Sequence, residues 1–214
     1  MKIEQRAILV DLAIQAIGLI VSLVGMAALI GWTLVHREGT VVTVVSVYAM
    51  TLVAMFACSL AYAAARGSVH GPWLRVCDHS AIYLLIAGSY TPICLLVIDG
   101  TSGRGLLAAI WATAAAGIIC EIILRERVAW LTIALSLLMG WAVLVKIDVV
   151  MARLPPAAAV LFVSGGLLYT LGVPAHCYRR LPYNQAIWHL AVLAAAGCHY
   201  GAIALVVTGL GSQT

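Results

Sequence analysis

Charge is what this chain has least of. Of its 214 residues only 9% are Asp, Glu, Lys or Arg, while 64% are hydrophobic, and the mean hydropathy is +1.09. A soluble domain of this size carries far more charge than that. Cysteine motifs are missing too. Cys58, Cys77, Cys94, Cys120, Cys177 and Cys198 form no CxxC pair and lie in or beside apolar runs, as small buried residues do. There is no Gly-rich phosphate loop, no GxSxG elbow and no nucleic-acid motif. The net charge of +4 is therefore a loop property, and nucleic acid is not expected as a partner. No internal repeat, low-complexity stretch or loop long enough for a soluble domain is visible.

What the chain has instead is long apolar runs. A membrane-spanning helix needs about 20 mainly apolar residues. Seven runs qualify, at roughly 8–32, 41–65, 79–98, 105–124, 128–148, 156–175 and 186–210. Short polar breaks separate them: His36-Arg37-Glu38, Arg66–Arg75, Asp99–Arg104, Arg125-Glu126-Arg127, Met151–Pro156 and Tyr178–Asn184. The expectation is one all-α integral membrane domain over 1–214, a seven-helix bundle with membrane lipids around it. The first run has the basic start of a signal peptide, Lys2 and Arg6. Its length and the missing small-residue cleavage site mark it as a retained helix.

Basic residues set the orientation. With the N-terminus inside, the inner segments hold eight (Lys2, Arg6, Arg66, Arg75, Arg125, Arg127, Arg179, Arg180) and the outer ones four (Arg37, Arg104, Lys146, Arg153). An inside N-terminus and an outside C-terminus follow. In that orientation the intramembrane polar groups gather in the inner leaflet: Asp11, Gln15, Ser59, Tyr62, Asp78, Glu121, Gln185 and His189. Polar groups converging from helices distant in sequence are the usual sign of a site in a bundle. Helix ends are also polar for ordinary reasons, and Asp78 reads equally as a helix-start acid favouring the helix dipole. Lys146 and Asp148, two apart, do not face one another and read as snorkelling to the interface.

The stretch Asp78–Pro92, DHSAIYLLIAGSYTP, stands out. An acid heading a long apolar helix is costly unless something receives it. The stretch resembles the third-helix signature of the bacterial hemolysin III proteins, within the superfamily of progestin and adiponectin receptors and alkaline ceramidases. LPYNQAIWHLAVLAAAGCHY near the C-terminus resembles the same family, which usually carries a His-x3-His there. Ser59-Leu60-Ala61-Tyr62 is similar to its second-helix Ser-x3-His motif, and Gly140-Trp141 and Gly165-Gly166…Tyr169 extend the likeness. The resemblance implies seven helices with the N-terminus inside, placing the chain in a bacterial inner membrane. It implies a zinc held by three histidines, one on the second helix and two on the seventh, with an Asp and a Ser beside the metal and its water. Some members are thought to cleave lipid amides.

Carried over residue by residue, the Ser falls on Ser59, the Asp on Asp78 and the second seventh-helix His on His189. The other two zinc positions fall on Ala63 and Gln185. The first-helix Glu…Asn…His pattern falls on Ile8, Asp11 and Gln15. Zinc prefers nitrogen and sulfur, so Ala63 offers nothing and Gln185 only an amide oxygen. Asp11, Asp78, Tyr62 and Cys58 are the nearby substitutes, and none completes an obvious tetrahedral set. Cys58 points about 140° away from Ala63, His199 lies some ~15 Å beyond His189, and His79 points away from Asp78. Zinc binding is expected to be weak or absent.

Three functions follow. One is a degenerate member whose Ser59, Asp78, Gln185 and His189 form a polar cluster, packing or binding a lipid or small molecule. The second is a metal-dependent lipid amide hydrolase with a rearranged site: His189 as ligand, Asp78 and Ser59 acting on substrate and water. The third is cytolysis, against which stands the lack of an amphipathic lytic helix. A transporter would want an inverted repeat or a pair of Gly/Pro-broken helices, and neither is apparent.

Overall fold

The structure, a computed structural model, describes residues 3–124, 129–178 and 180–209. Among these residues seven helical segments are long and apolar enough to cross a membrane. The chain is thus an all-α, seven-span membrane bundle. The break Arg125-Glu126-Arg127, and the residues Lys2, Arg179 and Leu210, lie outside the described residues.

The elements are α1 (Ile3–His36), α2 (Gly39–Ala64), α3 (Gly71–Pro92), α4 (Gly100–Leu124), α5 (Ala129–Gly140), α6 (Ile147–Arg153), α7 (Pro156–Cys177) and α8 (Asn184–Gly209). A π-helical turn, Ile93–Ile98, prolongs α3, and a 3-10 segment, Ala142–Lys146, joins α5 to α6, so α5 and α6 make one span. Helix ends fall where the backbone breaks, not where hydropathy fades. The first helix continues through exposed Glu4 and Arg6 and stops only before Gly39, whose φ of +34° a side chain would resist.

The same rule corrects the placing of Asp78. The third helix starts at Gly71, with Pro72 in its first turn, where the missing N–H costs nothing. Asp78 is therefore two turns inside the helix, 8% exposed, and is not a helix-start acid in solvent.

The third span is the centre of the bundle. Inside the protein lies 72% of its most apolar stretch, against 17–39% in the other six. Ile17, Ile20 and Val35 of α1 and Leu171 of α7 turn outward, as lipid-facing residues do. Close helix contact depends on small residues. A Cβ on Gly88 of α3 would fall on the Thr51 hydroxyl of α2, and one on Gly165 of α7 would lie 2.5 Å from the His199 ring of α8.

One span is irregular at its end and another in mid-course, which the apolar pattern does not reveal because a π turn or a 3-10 turn leaves hydropathy unchanged. One is the π turn after Pro92. The other is the break at Gly140-Trp141. Tyr90 repairs the second: its hydroxyl donates to the Gly140 carbonyl at 3.0 Å and accepts from the Val143 N–H at 2.7 Å. Backbone groups freed in a membrane need such partners. Arg153 likewise donates to the Val97 and Ile98 carbonyls that end the third span, and Arg37 to those of Val207 and Thr208 near the end of α8.

Candidate functional site

At the end of the bundle where α1 begins, five side chains from four helices meet: Asp11, Gln15, Ser59, Asp78 and His189. All are 8% exposed or less. Asp11 is the bridge. Its Oδ1 accepts from His189 Nδ1 at 2.5 Å and its Oδ2 from Arg66 Nη2 at 2.5 Å. An ionised carboxylate only accepts, so Nδ1 carries the proton and Nε2 is left as the other ring nitrogen. Gln15 donates its amide to Ser59 Oγ at 2.6 Å, and Ser59 lies beside Asp78. The hydrogen bonds tie α1 to α2 and α8, with Asp78 of α3 against them.

Arg66 supplies the cation. It sits just past the end of α2, with its guanidinium 5.7 Å from the Tyr62 ring centre. Its side chain is 29% exposed while that of Asp11 is 2% exposed, so the charge comes in from the edge of the bundle to meet a carboxylate inside it. Buried carboxylates persist in such places only when paired.

A second cluster lies beside the first. Glu121 of α4 is 3% exposed and accepts from His79 Nδ1 of α3 at 2.7 Å and from Thr132 Oγ1 of α5 at 2.5 Å. Tyr83 lies beside Thr132. His79 thus points away from Asp78, and Glu121 belongs with it and not with the Asp11 group.

Between α2, α3, α5, α6, α7 and α8 runs a cavity of about 830 Å³. That is ample for a small ligand. Ser59, Asp78, Gln185, His189, Arg66 and Arg75 line one part of it; Leu52, Met55, Leu85, Ile86, Val143 and Phe162 line much of the rest. It therefore pairs a polar region with an apolar chamber.

The three-histidine zinc site implied by the resemblance does not fit these residues. Ala63 is 3% exposed and presents a methyl group, Gln185 is half-buried on the cavity wall and offers an amide, and of the three positions His189 alone, through Nε2, keeps an imidazole donor. Among the described residues no three His, Cys, Asp or Glu side chains are grouped to hold a metal ion. Of the sequence-predicted residues, Ser59, Asp78, Asp11, Gln15 and His189 come together, and Tyr62 lies under the Arg66 guanidinium. Arg66 was missed, having been counted only as an orientation-setting charge. Its signal was its place just past the end of α2, within reach of Asp11.

Fold and site define a seven-span membrane bundle with an ion-paired polar cluster opening on an internal cavity. A family profile described as "Haemolysin-III related" matches residues 11–200. The chain belongs to that family. It is 34% identical over 183 residues to "Hemolysin-3" of Bacillus cereus, covering 84% of this chain and 82% of that one. It is 37% identical over 127 residues to the "Hemolysin-3 homolog" of Bacillus subtilis, 59% of this chain and 60% of the other. Human "Monocyte to macrophage differentiation factor" is 33% identical over 130 residues, 60% of this chain and 53% of its own. No solved structure matches the chain.

Proposed function

We propose that this protein is a metal-independent hemolysin III-like membrane protein that holds an amphipathic lipid or lipid-like small molecule in its cavity. The polar end of the ligand lies against Ser59, Asp78 and His189. The observation that carries this is the cavity itself: about 830 Å³, polar and charged where the Asp11 cluster meets it and lined mainly by apolar side chains, with uncharged polar groups among them, beyond. Arg66 supports metal independence, because it already gives Asp11 a positive partner where a bound cation would otherwise be needed. The excess of basic residues on one set of loops supports an inside N-terminus, and with it the polar cluster in the inner leaflet of a bacterial plasma membrane.

Elemental analysis of the purified protein beside its Ala63→His/Gln185→His variant tests the metal claim. A metal-free natural protein and a zinc-binding variant are expected; one zinc per natural chain would refute it. Mass spectrometry of the intact detergent-purified protein tests the ligand claim. A co-purifying lipid-like mass, lost in Asp78→Leu, is expected.

A second reading, hydrolysis of a lipid amide, draws on the placing of Ser59 beside Asp78 on the cavity wall, with His189 on the same wall. It requires turnover of such an amide to vanish in His189→Ala, and unchanged turnover would remove it.

A further inference from the structure

Two antiparallel helices carry the same pattern down the cavity wall. Outward from the polar cluster, α2 contributes Ser59, Met55, Leu52 and Tyr48 and α8 contributes His189, Val192, Ala196 and His199, while Tyr62 of α2 and Asn184, Gln185 and Trp188 of α8 line the cavity on the other side of the cluster. Each stripe reads polar, apolar, apolar, polar. Ser59 and His189 belong to the cluster already described. Tyr48 is eleven residues from Ser59, or ~16 Å along the helix, and His199 is ten from His189, or ~15 Å. The two outer members therefore lie at matching depth.

Tyr48 is the unusual one. It is 1% exposed, and its hydroxyl has no hydrogen-bond partner among the described residues. A buried hydroxyl without a partner signals a missing one. Its neighbours are Tyr169, which also lines the cavity, and Tyr200, whose own hydroxyl donates to the Gly25 carbonyl at 2.9 Å. His199 Nε2 donates to the Phe162 carbonyl at 3.2 Å, which leaves Nδ1 as an acceptor. Its ring rests on Phe162 and tilts toward Tyr169 at 5.6 Å between centres.

We infer that Tyr48, Tyr169 and His199 form a second polar station in the cavity, and that the molecule held there is a long apolar chain with a hydrogen-bonding group at each end, ~15 Å apart. This rests on the ligand-holding function proposed above. The near end meets Ser59, Asp78 and His189; the chain passes Leu52, Met55, Val192 and Ala196; the far end supplies the partner that Tyr48 lacks. An extended chain advances about 1.2 Å per bond, so about twelve bonds span the two stations.

The test uses the full-length protein in detergent, with dodecanamide and ω-hydroxydodecanamide as probes and binding followed by intrinsic fluorescence. The terminal hydroxyl should tighten binding about tenfold, the value of one neutral hydrogen bond. Tyr48→Phe should erase that gain while dodecanamide binds as before, and ω-hydroxyoctanamide, too short to reach, should show no gain over octanamide. Equal binding of the two dodecyl probes, as when the hydroxyl merely replaces a water, overturns the second station and leaves the cavity function standing. Selectivity that survives Tyr48→Phe also overturns it. Binding of neither dodecyl probe overturns the cavity function and the inference together.

Discussion

Replacing Arg66 by Met is the sharpest perturbation of the cluster. The change keeps length and apolar bulk but removes the guanidinium from Asp11 Oδ2. The carboxylate, 2% exposed, is then left with the His189 Nδ1 hydrogen bond alone. Removing one member of a buried pair costs about 3–5 kcal/mol. The low end applies, because His189 remains and Arg66 itself reaches the bundle edge, so about 3 kcal/mol is expected. For a chain of this length that is a fall of roughly 6–12 °C in Tm. The assay is thermal unfolding in detergent, read with a thiol-reactive dye in a background where exposed Cys77 and Cys177 and half-buried Cys58, Cys120 and Cys198 are replaced by Ala, so that buried Cys94 reports. Arg6→Met, on the exposed start of α1, is the control and should shift little. The double variant Asp11→Asn/Arg66→Met should recover about 1–2 kcal/mol relative to the sum of the singles. Unchanged Tm in Arg66→Met, or strict additivity in the double variant, would refute the ion pair as the support of the cluster.

Tyr90→Phe removes both hydrogen bonds that close the break at Gly140, and should cost about 1–3 kcal/mol with faster hydrogen exchange confined to residues 141–146; unaltered exchange there would contradict the repair role. Gly88→Ala drives a Cβ to 2.0 Å from Thr51 Oγ1, which is itself tied to the Tyr48 carbonyl. Overpacking of this kind costs about 1–3 kcal/mol, and Thr51→Ala in the same chain should return part of it. Glu121→Leu strands His79 and the Thr132 hydroxyl beside α4, so a loss of about 2 kcal/mol or more is expected in the same melt.

The seven spans were legible because hydropathy is a local property: each run can be judged without its neighbours. The irregular end of the third span and the irregular middle of the fifth were not. Pro92 and Gly140 are visible as residues, but neither dictates a break. What permits the break is the Tyr90 hydroxyl placed fifty residues away from Gly140, and that is decided by packing. The depth of Asp78 was misjudged for a related reason. Trp73, Leu74 and Val76 follow a Gly-Pro start, and Arg75 among them reads as loop until the helix is seen to run through it.

The site was legible in its membership and illegible in its wiring. Each polar residue in an apolar run carries a desolvation cost that only a partner can offset, so Asp11, Gln15, Ser59, Asp78 and His189 announce themselves one by one. The pairing is a tertiary fact. Asp11 could have faced Gln185, and Glu121 could have joined Asp78; instead Glu121 turned to His79, and Asp11 took His189 on one oxygen and Arg66 on the other. Arg66 shows how a signal can be present and still be assigned to the wrong cause. A basic residue at the end of a span serves the topology rule whether its guanidinium enters water or folds back into the bundle. Only the second choice neutralises Asp11. What distinguishes the two beforehand is demand: an unmatched carboxylate two turns inside α1, and a cation within reach just past the end of α2.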